Sequence, residues 1–93
     1  MKVVNIIPTY NEKENIGKML ETLQAIAKKN PQYEFSHLIV DDTSPDGTAE
    51  IVKKYMVKDK SIKLLEGKRV GLGEALIRGY KYAEDKLAAD VII

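Results

Sequence analysis

Short hydrophobic runs alternate along the chain with longer segments whose apolar residues recur every three or four positions. The first run, residues 1–7, is β-branched and nearly uncharged after Lys2, which is typical of a strand buried on both faces. Pro8 predicts the end of this strand, because proline has no N–H to donate to a neighbouring strand. Similar runs at residues 34–40 and 61–65 predict a second and a third strand.

The segments between these runs have the spacing of helices. The first is predicted to run from about residue 12 to residue 29, with Asn11 and Glu14 forming a capping box. The second is predicted to be capped either by Ser44, which a proline follows, or by Asp46. The apolar positions with helical spacing are Ile16, Met19, Leu20, Leu23, Ile26 and Ala27 in the first helix, Ile51, Val52, Tyr55 and Met56 in the second, and Leu72, Ala75, Leu76, Tyr80 and Ala83 in the third.

Strands that alternate with helices of a dozen residues or more predict βαβ units joined by right-handed crossovers. The fold class is therefore α/β, a single doubly wound domain with a mainly parallel sheet. Residues 90–93 are interpreted as the start of a fourth strand, and a domain rarely stops inside its next central strand. We therefore expect the domain to be incomplete.

Polar side chains follow the first two strands at the point where each strand ends. Residues 8–12 have the sequence PTYNE, and Asp41 and Asp42 come directly after the second hydrophobic run. In an open α/β sheet this edge is where ligands bind, because the loops leave a crevice there and helix N-termini point N–H groups into it. Taken alone, the two aspartates are equally well explained as a solvated turn with a helix cap.

Composition excludes several classes of function. Fifteen basic and fourteen acidic residues give a net charge of +1, so no long-range field favours nucleic acid or an anionic membrane surface. The absence of cysteine excludes a disulfide framework, a thiol nucleophile and a cysteine zinc site. The longest apolar run is far below the ~20 residues of a membrane-spanning helix. His37, the single histidine, lies inside a predicted strand, and a structural role is expected for it.

Three motifs in this order resemble the N-terminal part of family-two glycosyltransferases of the GT-A fold. They are PTYNE at 8–12, VDD followed by SPDGT at 40–48, and GLG at 71–73 followed by Ala75. Within that family, the SPDGT and GLG segments are most similar to dolichol-phosphate (polyprenyl-phosphate) mannosyltransferases. The resemblance implies a three-layer α/β/α, Rossmann-like domain, of which residues 1–93 would form the nucleotide-sugar-binding half.

The resemblance also implies where a nucleotide sugar would bind. Residues of the first motif would contact the base and ribose, the residues ending the second strand would close around the base, and basic residues before the GLG segment would face the diphosphate. An aromatic ring offers a stacking face and carboxylates accept hydrogen bonds from base N–H groups or ribose hydroxyls, which agrees with these roles. The implied substrate-binding residues are Pro8, Tyr10, Glu12, Val40 and Asp42, with Asp41 and Asp46 as lesser candidates, and Lys68 and Arg69 for the diphosphate.

The expected reaction is an inverting transfer of mannose from GDP-mannose to a polyprenyl (dolichyl) phosphate. Members of the family hold Mg²⁺ or Mn²⁺ with an Asp-x-Asp motif after the fourth strand, and the sequence ends at Ile93 before such a motif. We therefore expect the metal ligands to lie outside this chain, and the fragment alone to be inactive. No nucleic-acid partner is expected. Any membrane contact is expected from a C-terminal part, and the location is expected to be cytoplasmic or peripheral at the cytoplasmic membrane face.

Two other function classes fit part of the sequence. A stand-alone module that binds a nucleotide or nucleotide sugar without catalysis would use the same residues. A receiver-type signalling domain with clustered aspartates fits poorly, because the third strand and its loop supply no phosphoacceptor aspartate before Glu66. Catalytic residues are not identified by the sequence.

Overall fold

A computed structural model describes residues 1–68 and 71–93 of the chain. Strands and helices alternate throughout these residues, as the hydrophobic pattern predicts. In chain order the elements are β1 (Lys2–Thr9), α1 (Lys13–Lys29), β2 (Glu34–Asp41), α2 (Thr48–Lys58), β3 (Ile62–Glu66), α3 (Leu72–Lys86) and β4 (Val91–Ile92).

The described strands form one four-stranded parallel sheet in the order β3-β2-β1-β4. The chain moves outward from β1 to β3, and α3 then returns it to the other side of β1. The strand order therefore reverses between β1 and β4, and open α/β sheets bind ligands outside the carboxyl ends of strands near such a reversal.

Helices cover both faces of the sheet, which makes three layers. The α1 and α2 face is packed around a buried cluster, and the α3 face around a second one. The α/β class and the parallel sheet predicted from the sequence are thus confirmed. The buried residues are Ile16, Leu20, Ile39, Val52 and Ile62 on the α1 and α2 face, and Val4, Ile6, Leu38, Val40, Ala75 and Ala83 on the α3 face.

Gly79 allows α3 to approach the sheet closely. A Cβ atom at this position would lie 2.8 Å from Ile6 Cγ2 and 3.1 Å from Val40 Cγ2, closer than side chains normally pack. A glycine inside a helix costs roughly 1 kcal/mol relative to alanine. That cost is offset here by the tight contact between α3 and the two central strands.

The prediction that Pro8 ends β1 is wrong. Pro8 lies within β1 opposite Val40, and the strand continues to Thr9. The backbone N–H of Ile6 and the carbonyl of Val4 bond to Ile93, so even-numbered residues of β1 turn their backbone groups toward β4. The nitrogen of Pro8 faces that side, and its missing N–H removes no bond to β2.

The capping box predicted at Asn11 and Glu14 is also wrong. Glu12 is the N-cap residue of α1, its side chain makes no capping hydrogen bond, and Asn11 has left-handed backbone geometry with φ 54°. Side chains between the end of β2 and the start of α2 accept hydrogen bonds from the backbone N–H groups of residues 11–13, which lead into α1. The entry into α1 is therefore held by a distant segment and not by the local box that the sequence offered.

His37 is buried within β2, as expected of a structural residue. Its Nδ1 accepts a hydrogen bond of 2.9 Å from the side-chain amide of Asn5 on β1. Burial lowers the pKa of His37, and the negative charge of Asp59 opposes that effect. In the described part of the chain, no helix is long and apolar enough to cross a bilayer.

Candidate functional site

The carboxyl ends of β1 and β2 are in register, so the predicted site residues lie along one edge of the sheet. Pro8 is opposite Val40, and Thr9 is opposite Asp41. Because side chains alternate between the two faces of a strand, Pro8 and Val40 lie on the face that α3 covers. Asp42 has the same parity as Val40 and binds a residue of α3, whereas Thr9 and Asp41 belong to the opposite face.

Asp41 holds the loop after β2 on the α1 and α2 face. Its Oδ1 accepts hydrogen bonds from Thr9 Oγ1 at 2.7 Å and Ser44 Oγ at 2.6 Å, and its Oδ2 accepts the backbone N–H of Ser44 at 2.9 Å. The residue is fully buried. The Asp41 carboxylate is therefore engaged in joining β1 to the β2–α2 loop.

The same loop caps α1. Backbone N–H groups of residues 11, 12 and 13 donate to Ser44 Oγ, Thr48 Oγ1 and Asp46 Oδ2, at 2.9, 3.0 and 3.1 Å. Glu12 is the N-cap and Lys13 the first residue of α1, and N–H groups at a helix start lack an internal partner and often bind anions. In this chain they are occupied by side chains, so they are not available to a phosphate.

Asp46 also organises the start of α2. Its Oδ1 accepts the N–H and the hydroxyl of Thr48, at 3.1 and 2.6 Å. The Thr48 hydroxyl is the main reason that the pKa of Asp46 is lowered, with the backbone N–H of Lys13 adding to the effect and desolvation opposing it. The N-cap residue of α2 is Gly47, with φ 94°, so the prediction that Ser44 or Asp46 caps this helix is wrong. Asp46 lies one position before the cap and accepts the N–H of the first helical residue from there.

Asp42 lies on the other face and pairs with Arg78 of α3. Arg78 Nη2 donates to Asp42 Oδ1 at 2.8 Å, and only 10% of the Asp42 side chain and 29% of the Arg78 side chain are exposed. Arg78 is not among the residues that the sequence motifs predict. A signal was present, since Arg78 follows the buried Ala75 by three residues and directly precedes Gly79, which places a charged residue on the sheet-facing side of α3.

Gly67 connects the end of β2 to the Arg78 side chain. Its N–H donates to the carbonyl of Asp41 at 3.1 Å, and its carbonyl accepts the Thr43 hydroxyl. A Cβ atom at Gly67 would lie 2.5 Å from Arg78 Cζ. The guanidinium group therefore lies directly against the backbone of Gly67.

The other residues expected to bind a base or ribose differ in accessibility. Tyr10 is 37% exposed just beyond β1, and Pro8 and Glu12 are half-buried. Val40 is fully buried beneath Gly79. The side chain of Val40 thus forms the floor below the edge, whereas Tyr10 is partly exposed at the edge.

The basic residues expected at the diphosphate are only partly visible. Lys68 is exposed after β3, and Arg69 lies outside the described residues. Glu66, at the end of β3, forms an ion pair of 3.2 Å with Lys53 of α2. This pair directs the Glu66 carboxylate toward the α2 side.

Two further findings concern metal binding at this edge and the position of the main groove. Within residues 1–68 and 71–93, no three His, Cys, Asp or Glu side chains come together as a metal-binding group, so no metal-dependent step is assigned to them. An open groove of about 480 Å³ lies between α1 and α2 and is lined by Glu21, Gln24, Lys54, Tyr55 and Lys58. It is formed by later turns of the two helices, away from the strand ends.

Comparison with known proteins gives concordant matches. The family model described as glycosyl transferase family 2 matches residues 5–93. A dolichol-phosphate mannosyltransferase from Pyrococcus furiosus is 41% identical over 89% of this chain and 23% of its own length. An undecaprenyl-phosphate mannosyltransferase from Micrococcus luteus is 35% identical over 100% of this chain and 36% of its own length. A dolichyl-phosphate beta-glucosyltransferase from Trichomonas vaginalis is 36% identical, over 88% of this chain and 26% of its own length.

A solved structure matches the fold. The mannosyltransferase of Pyrobaculum calidifontis, in complex with GDP-Man and Mn²⁺, superposes with a TM-score of 0.73 and 28% sequence identity. The match covers 87% of this chain and 24% of that one. The chain thus spans about a quarter to a third of the length of these relatives.

Proposed function

The chain belongs to glycosyl transferase family 2, and we propose that it binds the nucleotide-sugar donor, GDP-mannose, at the carboxyl edge of β1 and β2. The observation that carries this proposal is the largely buried carboxylate of Asp42, which lies on the same sheet face as Pro8 and Val40. The relatives named as mannosyltransferases and the solved complex with GDP-Man support the choice of donor.

Each residue of the edge has a proposed role that follows from its exposure and chemistry. Asp42 accepts hydrogen bonds from base N–H groups or ribose hydroxyls, and Tyr10 supplies a stacking face for the base. Glu12 and Pro8 border the ribose and base, above the floor that Val40 forms. Asp41 and Asp46 do not contact the nucleotide but hold the loops that carry these side chains. Lys68 and Arg69 face the diphosphate.

In the whole protein, the proposed reaction transfers mannose to a polyprenyl phosphate. A phosphate oxygen of the acceptor forms a bond to the anomeric carbon, the bond from that carbon to the β-phosphate oxygen breaks, and GDP leaves with the electron pair. A phosphate monoester carries up to two negative charges near pH 7, so it needs no strong base to act as a nucleophile. A divalent cation, Mg²⁺ or Mn²⁺, would neutralise the leaving diphosphate, and its ligands are proposed to come from outside this chain.

The chain is proposed to be the N-terminal, donor-binding half of a longer transferase domain. Support comes from the short share of each relative that it spans, 23% to 36% of the curated proteins' lengths. A lipid phosphate acceptor implies that the whole protein works at a membrane surface. We propose a peripheral, cytoplasmic-face location for it.

Calorimetric titration of the 93-residue chain with GDP-mannose tests donor binding directly. Asp42→Ala should raise the dissociation constant at least tenfold, because it removes the buried acceptor at the edge. Asp85→Ala is the matched control, since Asp85 is an exposed aspartate near the end of α3, and it should leave the constant unchanged. An Asp42→Ala chain that binds as tightly as the parent would overturn the assignment of Asp42.

The same protein distinguishes transfer from binding alone. A module that binds the donor without catalysis is the second candidate, because the same edge residues would serve it equally well. The chain is incubated with GDP-mannose, Mn²⁺ and a polyprenyl phosphate, and mannosyl lipid is then looked for. Product formation excludes the binding module. Donor binding without product is expected both of a module and of a transferase half whose metal ligands lie outside this chain, so the same assay on the longer protein separates the two.

A further inference from the structure

We propose that Gly67 and Arg78 act together as positioning residues. The Arg78 guanidinium group lies against the backbone of Gly67, called the seat below, and from there orients the Asp42 carboxylate. The inference rests on the proposed donor site, because it explains how that site's acceptor is held. Arg78 follows Asp42 by 36 positions along the chain and is brought to it by α3.

The backbone of Gly67, which forms the seat, is held by hydrogen bonds at both its N–H and its carbonyl. The N–H of Gly67 is held by the Asp41 carbonyl and its own carbonyl is held by the Thr43 hydroxyl. Thr43 has left-handed geometry with φ 55°, which is unusual for a β-branched residue and marks a local conformation that surrounding contacts maintain. The backbone at Gly67 is therefore anchored to the end of β2, directly beside Asp42.

Only glycine leaves room for the guanidinium group at this point. A Cβ atom at Gly67 would lie 2.5, 2.6 and 2.9 Å from Cζ, Nη1 and Nη2 of Arg78, all closer than real Cβ contacts. The backbone of Gly67 does not have the positive φ that favours glycine, in contrast to Gly47 and Gly71. A side chain at position 67 would therefore make the Arg78 guanidinium group move from its present place, and the reason is spatial.

Arg78 occupies one side of the Asp42 carboxylate. The bond of 2.8 Å uses Oδ1, and among the described residues no side-chain hydrogen bond is made to Oδ2. A carboxylate that is nine-tenths buried requires a compensating charge, and Arg78 supplies it while leaving Oδ2 for a donor group of the nucleotide. The ion pair thereby sets both the charge and the direction of the acceptor.

The first test is the affinity for GDP, measured by calorimetry with the 93-residue chain. Arg78→Met and Gly67→Ala should each weaken GDP binding about tenfold, the first by removing the partner and the second by displacing it while both charges remain. Lys81→Met is the control for loss of a positive charge, because Lys81 is exposed one turn further along α3, and GDP binding should be unchanged.

Double variants separate positioning from direct contact with the nucleotide. If Arg78 acts through Asp42, Arg78→Met should cause no further loss of affinity in an Asp42→Asn background. Likewise, Gly67→Ala should cause no further loss in an Arg78→Met background. Additive losses in the Asp42→Asn background would show that Arg78 contacts GDP itself, and tighter binding by Arg78→Met would show that it competes with GDP; either result overturns the proposal.

The second test does not depend on GDP. Arg78 Nε is buried, so its proton should exchange slowly with solvent and give a distinct signal in a nitrogen–proton NMR spectrum of the parent chain. In Gly67→Ala that signal should be lost while the backbone spectrum is retained, and a protected signal in this variant would contradict the seat. A parent chain that fails to bind GDP but shows this behaviour would count against the proposed function and leave the seat standing.

Discussion

Two adjacent aspartates at the end of β2 stabilise the site in different ways. Asp41 faces α1 and α2 and receives three hydrogen bonds from Thr9 and Ser44, so that its partners are all uncharged. Asp42 faces α3 and forms an ion pair with Arg78, which remains partly exposed to solvent. The neighbours thus divide two tasks, fixing the loop and presenting an acceptor.

The difference shows why clustered carboxylates at a strand end should not be treated as one site. A carboxylate whose oxygens are already engaged contributes to preorganisation, whereas one held by a single partner on one oxygen can still accept a hydrogen bond from a ligand. Substitution at Asp41 should therefore change stability more than binding. Substitution at Asp42 should do the reverse.

The largest expected effect on stability comes from Asp41→Asn. An amide at this position keeps one acceptor oxygen for the hydroxyls of Thr9 and Ser44 but replaces the other oxygen with an NH2 group. That group is a donor and cannot accept the backbone N–H of Ser44, so buried polar groups are left unpaired. We expect a loss of about 3 kcal/mol in the free energy of unfolding, measured by urea denaturation. Asp85→Asn on exposed α3 is the control and should change stability by less than about 0.5 kcal/mol. Equal losses in the two variants would remove the distinction between Asp41 and a surface aspartate.

A smaller effect is expected on the α3 face from Gly79→Ala. The added methyl group would meet Ile6 Cγ2 at 2.8 Å and Val40 Cγ2 at 3.1 Å, neither of which is the end of a flexible side chain. We expect a net loss of about 1.5 kcal/mol in thermal or urea unfolding, because overpacking exceeds the helix-propensity gain of alanine. At Gly73, where a Cβ meets nothing within 4 Å, the same substitution should leave stability unchanged or slightly raised. A stabilised Gly79→Ala chain would show that α3 does not need this close approach.

Thr48→Val tests the hydrogen bond that joins the start of α2 to the start of α1. Valine matches the shape of threonine but removes the hydroxyl that accepts the N–H of Glu12 and donates to Asp46. Loss of a helix cap costs about 1 kcal/mol, and we expect that change in urea unfolding. Retention of full stability would mean that the cap supplied by the second loop contributes nothing measurable to α1.

The smallest effect is a pH dependence at Asp46. The hydroxyl of Thr48 holds the pKa of this carboxyl below its ordinary value, so the folded state favours the ionised form. Its contribution to stability is present above the ordinary aspartate pKa and is lost as the pH falls below about 4, through the lowered folded-state value. Urea unfolding of Asp46→Asn between pH 6 and 3 should show a shallower loss of stability than the parent. Parallel curves would contradict the assignment.

The fold could be predicted from the sequence, and so could the position of Asp42, but not that of its partner Arg78. Hydrophobic spacing predicted every strand and helix of the described residues in order, because burial on two faces leaves a strong pattern, and the motifs placed Asp42 at the carboxyl edge of the sheet. Arg78 was missed because its partner is 36 positions away and only the packing of α3 brings the two together. Pro8 was misjudged as a strand end because the direction of its nitrogen depends on which neighbour lies on each side of β1.

The same reason explains the mistaken helix cap. Local sequence offered Glu14 as a partner for Asn11, but the acceptors that bind the start of α1 come from residues 33 to 36 positions further along. Long-range contacts of this kind decide between local alternatives that propensity alone treats as equal.

Capping of α1 by a distant loop also constrains the order in which the protein folds. The N–H groups that lead into α1 obtain these acceptors only after the chain has closed a loop of more than thirty residues, and loop closure carries an entropic cost that later contacts must repay. The junction between β1 and α1 is therefore not fully hydrogen-bonded until residues 44–48 are in place, so that the second βα unit fixes the start of the first helix.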